Sequence, residues 1–225
     1  MLHKTEAIAI NYLKYSETSI IVRLYTHKFG MQSYIVNGVR SVKAKYKIAL
    51  FQPLTQLELV SYHNLKSDLQ RFSEIRCSVP YQTLNVDHRK ICTISFITEL
   101  LYKTLPQENS NPELFDFLAT SFLFYDLHEL YPDTFHLKLM IHLFPFLGFQ
   151  PSDIHDILSH STHKLNLNDP DLIKYLENLL QSHIDSNVEI PIIHCKLILT
   201  LLLDFLMFNM PQLSAFKSIS VLAEL

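Results

Sequence analysis

The segment VNGVRSVKAKYK, residues 36–47, carries Arg40, Lys43, Lys45 and Lys47 with no acid among them and one aromatic, Tyr46. Cations on a loop neutralise phosphates and release counterions, which gives salt-sensitive binding without sequence preference. A solvated surface loop would carry the same residue types. The surrounding charge weighs toward phosphate. Residues 1–78 hold eleven Lys and Arg against five acids, a net +6, with Arg23, Lys28, Arg71 and Arg76 adding to the loop. Residues 79–225 hold eight Lys and Arg against seventeen Asp and Glu, a net −9. The chain-wide charge of −3 conceals that split. Opposite signs predict two domains with different partners, the first partner being anionic. In such a site the cations hold phosphates, and Tyr25, Tyr34 or Tyr46 stacks on bases.

Other chemistry is less well provided for. Twelve histidines include His155, His160 and His163 in DIHDILSHSTH, with Asp153 and Asp156 nearby. No HExxH or other complete ligand set accompanies them, so polar loop histidines and no metal are expected. Cys77, Cys92 and Cys195 form no CxxC, and an odd, scattered set predicts neither a disulfide framework nor a thiolate zinc site. No GxSxG occurs, and no Ser or Cys has a recognisable base beside it. The three glycines, Gly30, Gly38 and Gly148, are too far apart to build a phosphate cradle. The reading is therefore a non-enzymatic protein without a cofactor. Two other classes stand beside nucleic-acid binding. One is a protein adaptor whose +6 face docks an acidic partner without touching DNA; the other is a metal-dependent hydrolase built on the histidine-rich loop.

The elements that must position these residues change character near residue 80. Residues 6–13, 17–26 and 31–37 alternate apolar side chains at period two, with Gly30 and Gly38 at turns. Pro53 precedes LTQLELVSYH, and a fifth run, LQRFSEIRCS, alternates imperfectly through Leu69, Phe72 and Ile75. Five short strands suit an OB-fold barrel, an SH3-like barrel or an open sheet equally well. From about Tyr81 the apolar spacing becomes three and four, first over residues 88–105. Asn111-Pro112 and Asp169-Pro170 read as caps with proline in the first turn. A third helix is predicted over residues 132–147, tightened at Pro145 and stopped by Gly148. The most apolar stretch, 192–210, is interrupted by His194, Lys196 and Asp204, which predicts a buried bundle helix rather than a membrane span. No secretory signal is visible at the N-terminus, and a cytoplasmic setting is expected. The expected architecture is α+β: a five-stranded barrel over residues 1–79, then an all-α bundle over 80–225.

With these residues laid out, the sequence resembles the bacterial RecO family of recombination mediators. The resemblance rests on Tyr15-Ser16-Glu17, Tyr25-Thr26, Gly30, Gly38-Val39-Arg40 with its following cations, and Gln52-Pro53-Leu54, in that order. Leu147-Gly148-Phe149 and the FKSISVL segment near the C-terminus extend it. It implies an N-terminal OB-fold and a C-terminal helical domain, and binding of single- and double-stranded DNA, for which the charge reading offers Arg23, Lys28, Arg40, Lys43, Lys45, Lys47, Arg71 and Arg76. It implies strand annealing, and work with RecR, and with RecF, to load RecA onto DNA coated by single-strand-binding protein (SSB). A cytoplasmic, nucleoid-associated setting follows. In FHLKLMIHLFPFLGF, Lys138 takes the place of a family Arg that pairs with carboxylates of the SSB C-terminal tail, and Leu139, His142 and Leu143 would line its groove. Lysine there lacks the bidentate fork of arginine. The chain departs from many relatives in having no four-cysteine zinc site after Leu147-Gly148-Phe149.

Overall fold

The computed structural model describes residues 2–41, 44–64, 66–106, 109–127, 134–162 and 169–222. The chain forms two compact units, Met1–Asp126 and Leu127–Glu224. In the first, strands β1 (Leu2–Lys14), β2 (Ile20–Thr26), β3 (Gly30–Val36), β4 (Gln56–Tyr62) and β5 (Leu69–Val79) close a barrel. Their order around it is β1-β2-β3-β5-β4, the OB-fold order, and only the β3–β5 pairing is parallel. Closure satisfies the strand edges that an open five-stranded sheet would expose.

The barrel interior holds Val22, Leu24, Tyr34, Leu57, Leu59 and Ile75, plugged by Phe51 from a 3-10 turn at Ile48–Phe51. Each of these buried side chains contributes roughly 1.5–3 kcal/mol. The strands depart from simple alternation for identifiable reasons. Ala7, Ile8, Ala9 and Ile10 are all buried, because helix α1 (His88–Thr104) packs against β1. In the β4–β5 ladder Val60 faces Glu74 and Ser61 faces Phe72, so Ser73 is an extra residue. That bulge explains why Phe72 and Ile75 sit three apart rather than two or four.

Two backbone positions hold the β2–β3 and β3–β4 connections. Gly30 adopts φ +64°, and a Cβ there would lie 2.6 Å from the carbonyl oxygen of Asn109. Leu54, buried, adopts φ +63°, a conformation uncommon for a branched side chain. Its N–H donates to the Ala9 carbonyl at 2.7 Å, and the Ala9 N–H donates to the Thr55 carbonyl at 2.9 Å.

Helix α1 and helix α2 (Pro112–Leu127) complete this unit. Asp87 caps α1 through the Arg89 and Lys90 amides, and Asn111 accepts from the Leu114 amide at 3.0 Å. The segment leading into α1 is fastened to the end of α2. The buried Asp126 carboxylate accepts from the Gln82, Thr83 and Leu84 amides, each at 2.8 Å. Lys90, also buried, donates to the Thr83 hydroxyl and to the carbonyls of Tyr125 and Asp126. A buried charge is tolerated only when its hydrogen-bonding capacity is met in this way.

The second unit is helical. Helix α3 (Phe135–Leu143) tightens into a 3-10 turn at Phe144–Leu147, and Gly148, at φ +90°, ends it. The predicted start at Pro132 lies outside the described residues. Helices α4 (Ile154–Ser159), α5 (Pro170–Gln181), α6 (Ile192–Asn209) and α7 (Ile219–Leu222) follow. Asp169 caps α5 through the Asp171 amide, with Pro170 in its first turn. Helix α6 is long and apolar enough to cross a bilayer by composition. Its buried residues, among them Ile198, Leu202 and Phe205, instead pack it against α3, α4 and α5. Its one acid, Asp204, accepts from the Thr162 amide and hydroxyl at 2.9 and 3.1 Å.

Candidate nucleic-acid interface

The basic segment is folded onto the barrel at two places. At its start Gly38, at φ +69°, turns the chain, and the Ser41 hydroxyl donates to the Gly38 carbonyl at 2.7 Å. The Arg40 amide donates to the Thr18 carbonyl at 3.1 Å and its guanidinium to the Ser16 carbonyl at 3.4 Å. This seats the turn on the β1–β2 connection, beside exposed Lys14 and Tyr15. At its end Tyr46 donates to the Ser73 carbonyl at 3.1 Å and packs edge-on against Phe72. The bulge at Ser73 turns out the carbonyl that Tyr46 uses. Lys45 lies 4.9 Å from the Tyr46 ring centroid and stays exposed.

Beyond Tyr46 a groove of about 600 Å³ runs over β4 and β5. Its charged lining comprises Lys4, Lys45 and Arg76 with Glu58 and Glu74. Lys4 and Arg76 converge on one oxygen of Glu58, at 3.2 and 2.8 Å. Hydrogen bonds from Arg76 and then Lys4 hold the Glu58 carboxyl below the usual carboxylate range. Three cations thus share this surface with two acids, an arrangement suited to a polyanion that can exchange with a carboxylate.

The remaining cations are dispersed. Arg71 is exposed and stands opposite Tyr62 in the β4–β5 ladder. Lys28 is exposed in the β2–β3 turn, and Lys47 is exposed where it precedes the 3-10 turn. Arg23 lies with its guanidinium 4.5 Å from the Tyr102 ring centroid of α1. Lys43 lies outside the described residues. The structure therefore brings Lys45 and Arg76 together, sets Arg40 at a second place and leaves Arg23 under a helix.

Of the three tyrosines expected to stack on bases, two are buried and Tyr46 is half-buried. Tyr25 and Tyr34 are core residues; burial pushes both phenols up to about 12, and Tyr34 shares a hydrogen bond with Ser61 at 3.1 Å. The exposed rings are Tyr15, at 58%, and Tyr62, at 49%. Lys4, Glu58 and Tyr62 were missed by sequence reasoning. The alternation of Leu57, Leu59 and Ser61 against Glu58, Val60 and Tyr62 held the signal for the last two.

Helix α3 shows a different kind of site. Thr134, Lys138 and His142, spaced by four, form one polar stripe. Thr134 donates to the Val188 carbonyl at 3.1 Å, Lys138 to the Ile184 and Ser186 carbonyls, and His142 meets the Ser182 carbonyl at 2.9 Å. The stripe thereby pins the α5–α6 connection. Lys138 is 0% exposed, and Leu139 and Leu143 are buried with it. Burial lowers the His142 ring below the ordinary histidine value, against the raising effect of the Ser182 carbonyl.

The histidines after Gly148 are only partly described. His155 is exposed, and His160 caps α4 with its ring 3.8 Å from that of Phe208; His163 lies outside the described residues. Among the described residues no three His, Cys, Asp or Glu side chains are placed to hold a metal.

The family models for the N-terminal and C-terminal parts of recombination protein O match residues 1–81 and 86–170. The chain is 33% identical to a DNA repair protein RecO of Flavobacterium johnsoniae over 237 aligned positions, covering 99% of this chain and 98% of that one. It is 31% identical to the Flavobacterium psychrophilum protein of the same description, with 98% of each covered. A Christiangramia forsetii protein, also described as DNA repair protein RecO, is 38% identical over 67% of this chain and 63% of its own length.

Proposed function

Because the chain belongs to the recombination protein O family, we propose that it acts in DNA repair as a non-enzymatic recombination mediator. In this reading the barrel of residues 1–79 binds single- and double-stranded DNA and anneals complementary strands. With RecR, and with RecF taking part, the protein loads RecA onto DNA coated by single-strand-binding protein. The work is done in the cytoplasm at the nucleoid.

The observation that carries this reading is the set of exposed cations on a closed OB barrel whose residues 1–78 carry a net +6. Arg40 at the first turn and Lys4, Lys45 and Arg76 around the groove take phosphates, with Lys28, Lys43, Lys47 and Arg71 extending the field. Tyr15 and Tyr62 are the accessible rings for bases. Arg23 contributes through its packing on α1.

The SSB tail is assigned to the helical part, 80–225, at Lys138, Leu139, His142 and Leu143. A tail carboxylate reaching Lys138 has to replace the carbonyls of Ile184 and Ser186, so the α5–α6 connection must yield as the tail enters.

The test is fluorescence anisotropy of a labelled single-stranded oligonucleotide over a salt series, with and without a peptide of the tail. Binding that weakens steeply with salt, and a flatter slope for Arg40→Ala combined with Lys43→Ala, is the expected result. Failure to bind naked oligonucleotide at any salt would reject the reading and leave the adaptor, docking an acidic protein partner, in its place.

A further inference from the structure

Glu58 lines the groove, and its surroundings separate it from an ordinary surface acid. In the barrel register it lies between Glu6 on β1 and Arg76 on β5. Its side chain is only 23% exposed, whereas those of Lys4 and Arg76 are 70% and 71% exposed. Both cations bond the same carboxylate oxygen. An oxygen that accepts from two cations at once presents the charge and acceptor pattern that a phosphodiester oxygen would present to them.

We propose that Glu58 is an internal competitor for the DNA backbone, holding Lys4 and Arg76 until a phosphate displaces it. The proposal rests on the nucleic-acid reading of the groove and adds a device that keeps that binding reversible. A strand entering the groove exchanges one anion for another around Lys4 and Arg76. Those two cations therefore contribute less affinity and release fewer counterions than free cations would. Lys45 is not bonded to Glu58; it lies over the Tyr46 ring and feels the charge of Glu74. A mediator that must take up a strand and give it away gains a lower barrier to release from this arrangement.

The experiment compares the full-length protein with its Glu58→Gln variant, using a labelled oligothymidylate and anisotropy between about 50 and 200 mM salt. Freed from the carboxylate, Lys4 and Arg76 should tighten binding roughly fivefold at low salt, the change that two exposed ion pairs correspond to. The slope of log affinity against log salt should steepen by up to about 1.4, at about 0.7 per cation on a single strand. Asp68→Asn removes the same charge from an exposed turn and should change neither quantity. Lys4→Ala with Arg76→Ala, added to Glu58→Gln, should abolish the gain.

Wild-type and Glu58→Gln proteins with equal affinity and slope would overturn the proposal while leaving the nucleic-acid reading intact. A gain shared by Asp68→Asn, or one that survives loss of both cations, would overturn it as well. No binding by either protein would remove the reading and the proposal together. Should Glu58→Gln fold poorly, Glu58→Thr places a strand-favouring residue there and carries the same comparison.

Discussion

The guanidinium of Arg23 on β2 lies 4.5 Å from the ring centroid of Tyr102 on α1, so a cation from the basic half of the chain is engaged in packing a helix. Arg23→Ala should cost about 1–2 kcal/mol of stability through the lost ring contact and stem burial. It should leave the salt slope of oligonucleotide binding unchanged. Arg40→Ala should do the reverse, flattening the slope by about 0.7 while changing stability by less than about 0.5 kcal/mol. Urea unfolding and anisotropy on the same two variants decide it.

The three glycines make a graded test. All have positive φ, yet a Cβ at Gly30 meets the Asn109 carbonyl at 2.6 Å whereas one at Gly148 meets nothing within 4 Å. Gly148→Ala should cost about 1 kcal/mol, the left-handed penalty alone. Gly30→Ala should cost about 2 kcal/mol more, because the backbone it meets cannot rotate aside as a side chain can. Equal midpoints in urea for the two variants would show that the 109 loop gives way freely.

Asp126 should make the first unit sensitive to acid. Burial raises its carboxyl, but the amides of Gln82, Thr83 and Leu84 outweigh that and leave it lowered. Its contribution is complete above the ordinary aspartate value of about 3.9 and is lost as pH falls through the folded value. Asp126→Asn should cost about 2–4 kcal/mol at neutral pH, because an amide nitrogen then faces backbone donors. The variant should also lose less stability than the wild type between neutral pH and pH 3, read by urea unfolding along a pH series.

His142 also titrates on the acid side of neutrality, gaining a charge where Asp126 loses one. Its lowered value means that, as pH falls from about 6.5 through the folded value, the unfolded chain takes up a proton that the folded chain refuses. Stability of the helical unit is therefore full above that range and declines below it. His142→Gln can still donate to the Ser182 carbonyl, so it should keep stability near neutral pH while reducing the decline. An unaltered decline would assign it to another group of that unit.

Lys138→Met keeps the length of the side chain but leaves the Ile184 and Ser186 carbonyls without their ammonium donor. A loss of about 2–4 kcal/mol is expected. Hydrogen exchange over residues 182–188 should speed up in this variant, and most clearly where the stripe on α3 holds the connection.

What could be read from the sequence was what depends on near neighbours. Asn111-Pro112 and Asp169-Pro170 start helices through contacts within three residues, and Pro145 with Gly148 tightens and ends one. Leu57, Leu59 and Glu58 sort by alternation because β4 has one wet face. What escaped depends on distant partners. Tyr25 and Tyr34 look like surface rings in alternating strands, but the closed barrel and the helices around it bury them. Lys90 and Lys138 look like solvent-facing helix cations, and each is buried because carbonyls from another segment arrive to receive it. The charge split marked the barrel as the basic part of the chain, but it did not single out Lys4, whose place depends on the β1–β4 register.

The extra residue at Ser73 has a consequence for arithmetic along β5. Arg71 and Arg76 are five apart, an odd interval, and in an unbroken strand they would lie on opposite sides of the sheet. The bulge acts as a change of sign between them: Arg71 faces Tyr62 and Arg76 faces Glu58, four residues apart on β4 and so on its same outer side. Deleting Ser73 would leave the two arginines four residues apart in a regular ladder, still on one side, and would remove only the carbonyl that Tyr46 uses. One bulge, with no charge of its own, thus lets an odd interval in the sequence keep both arginines on one side.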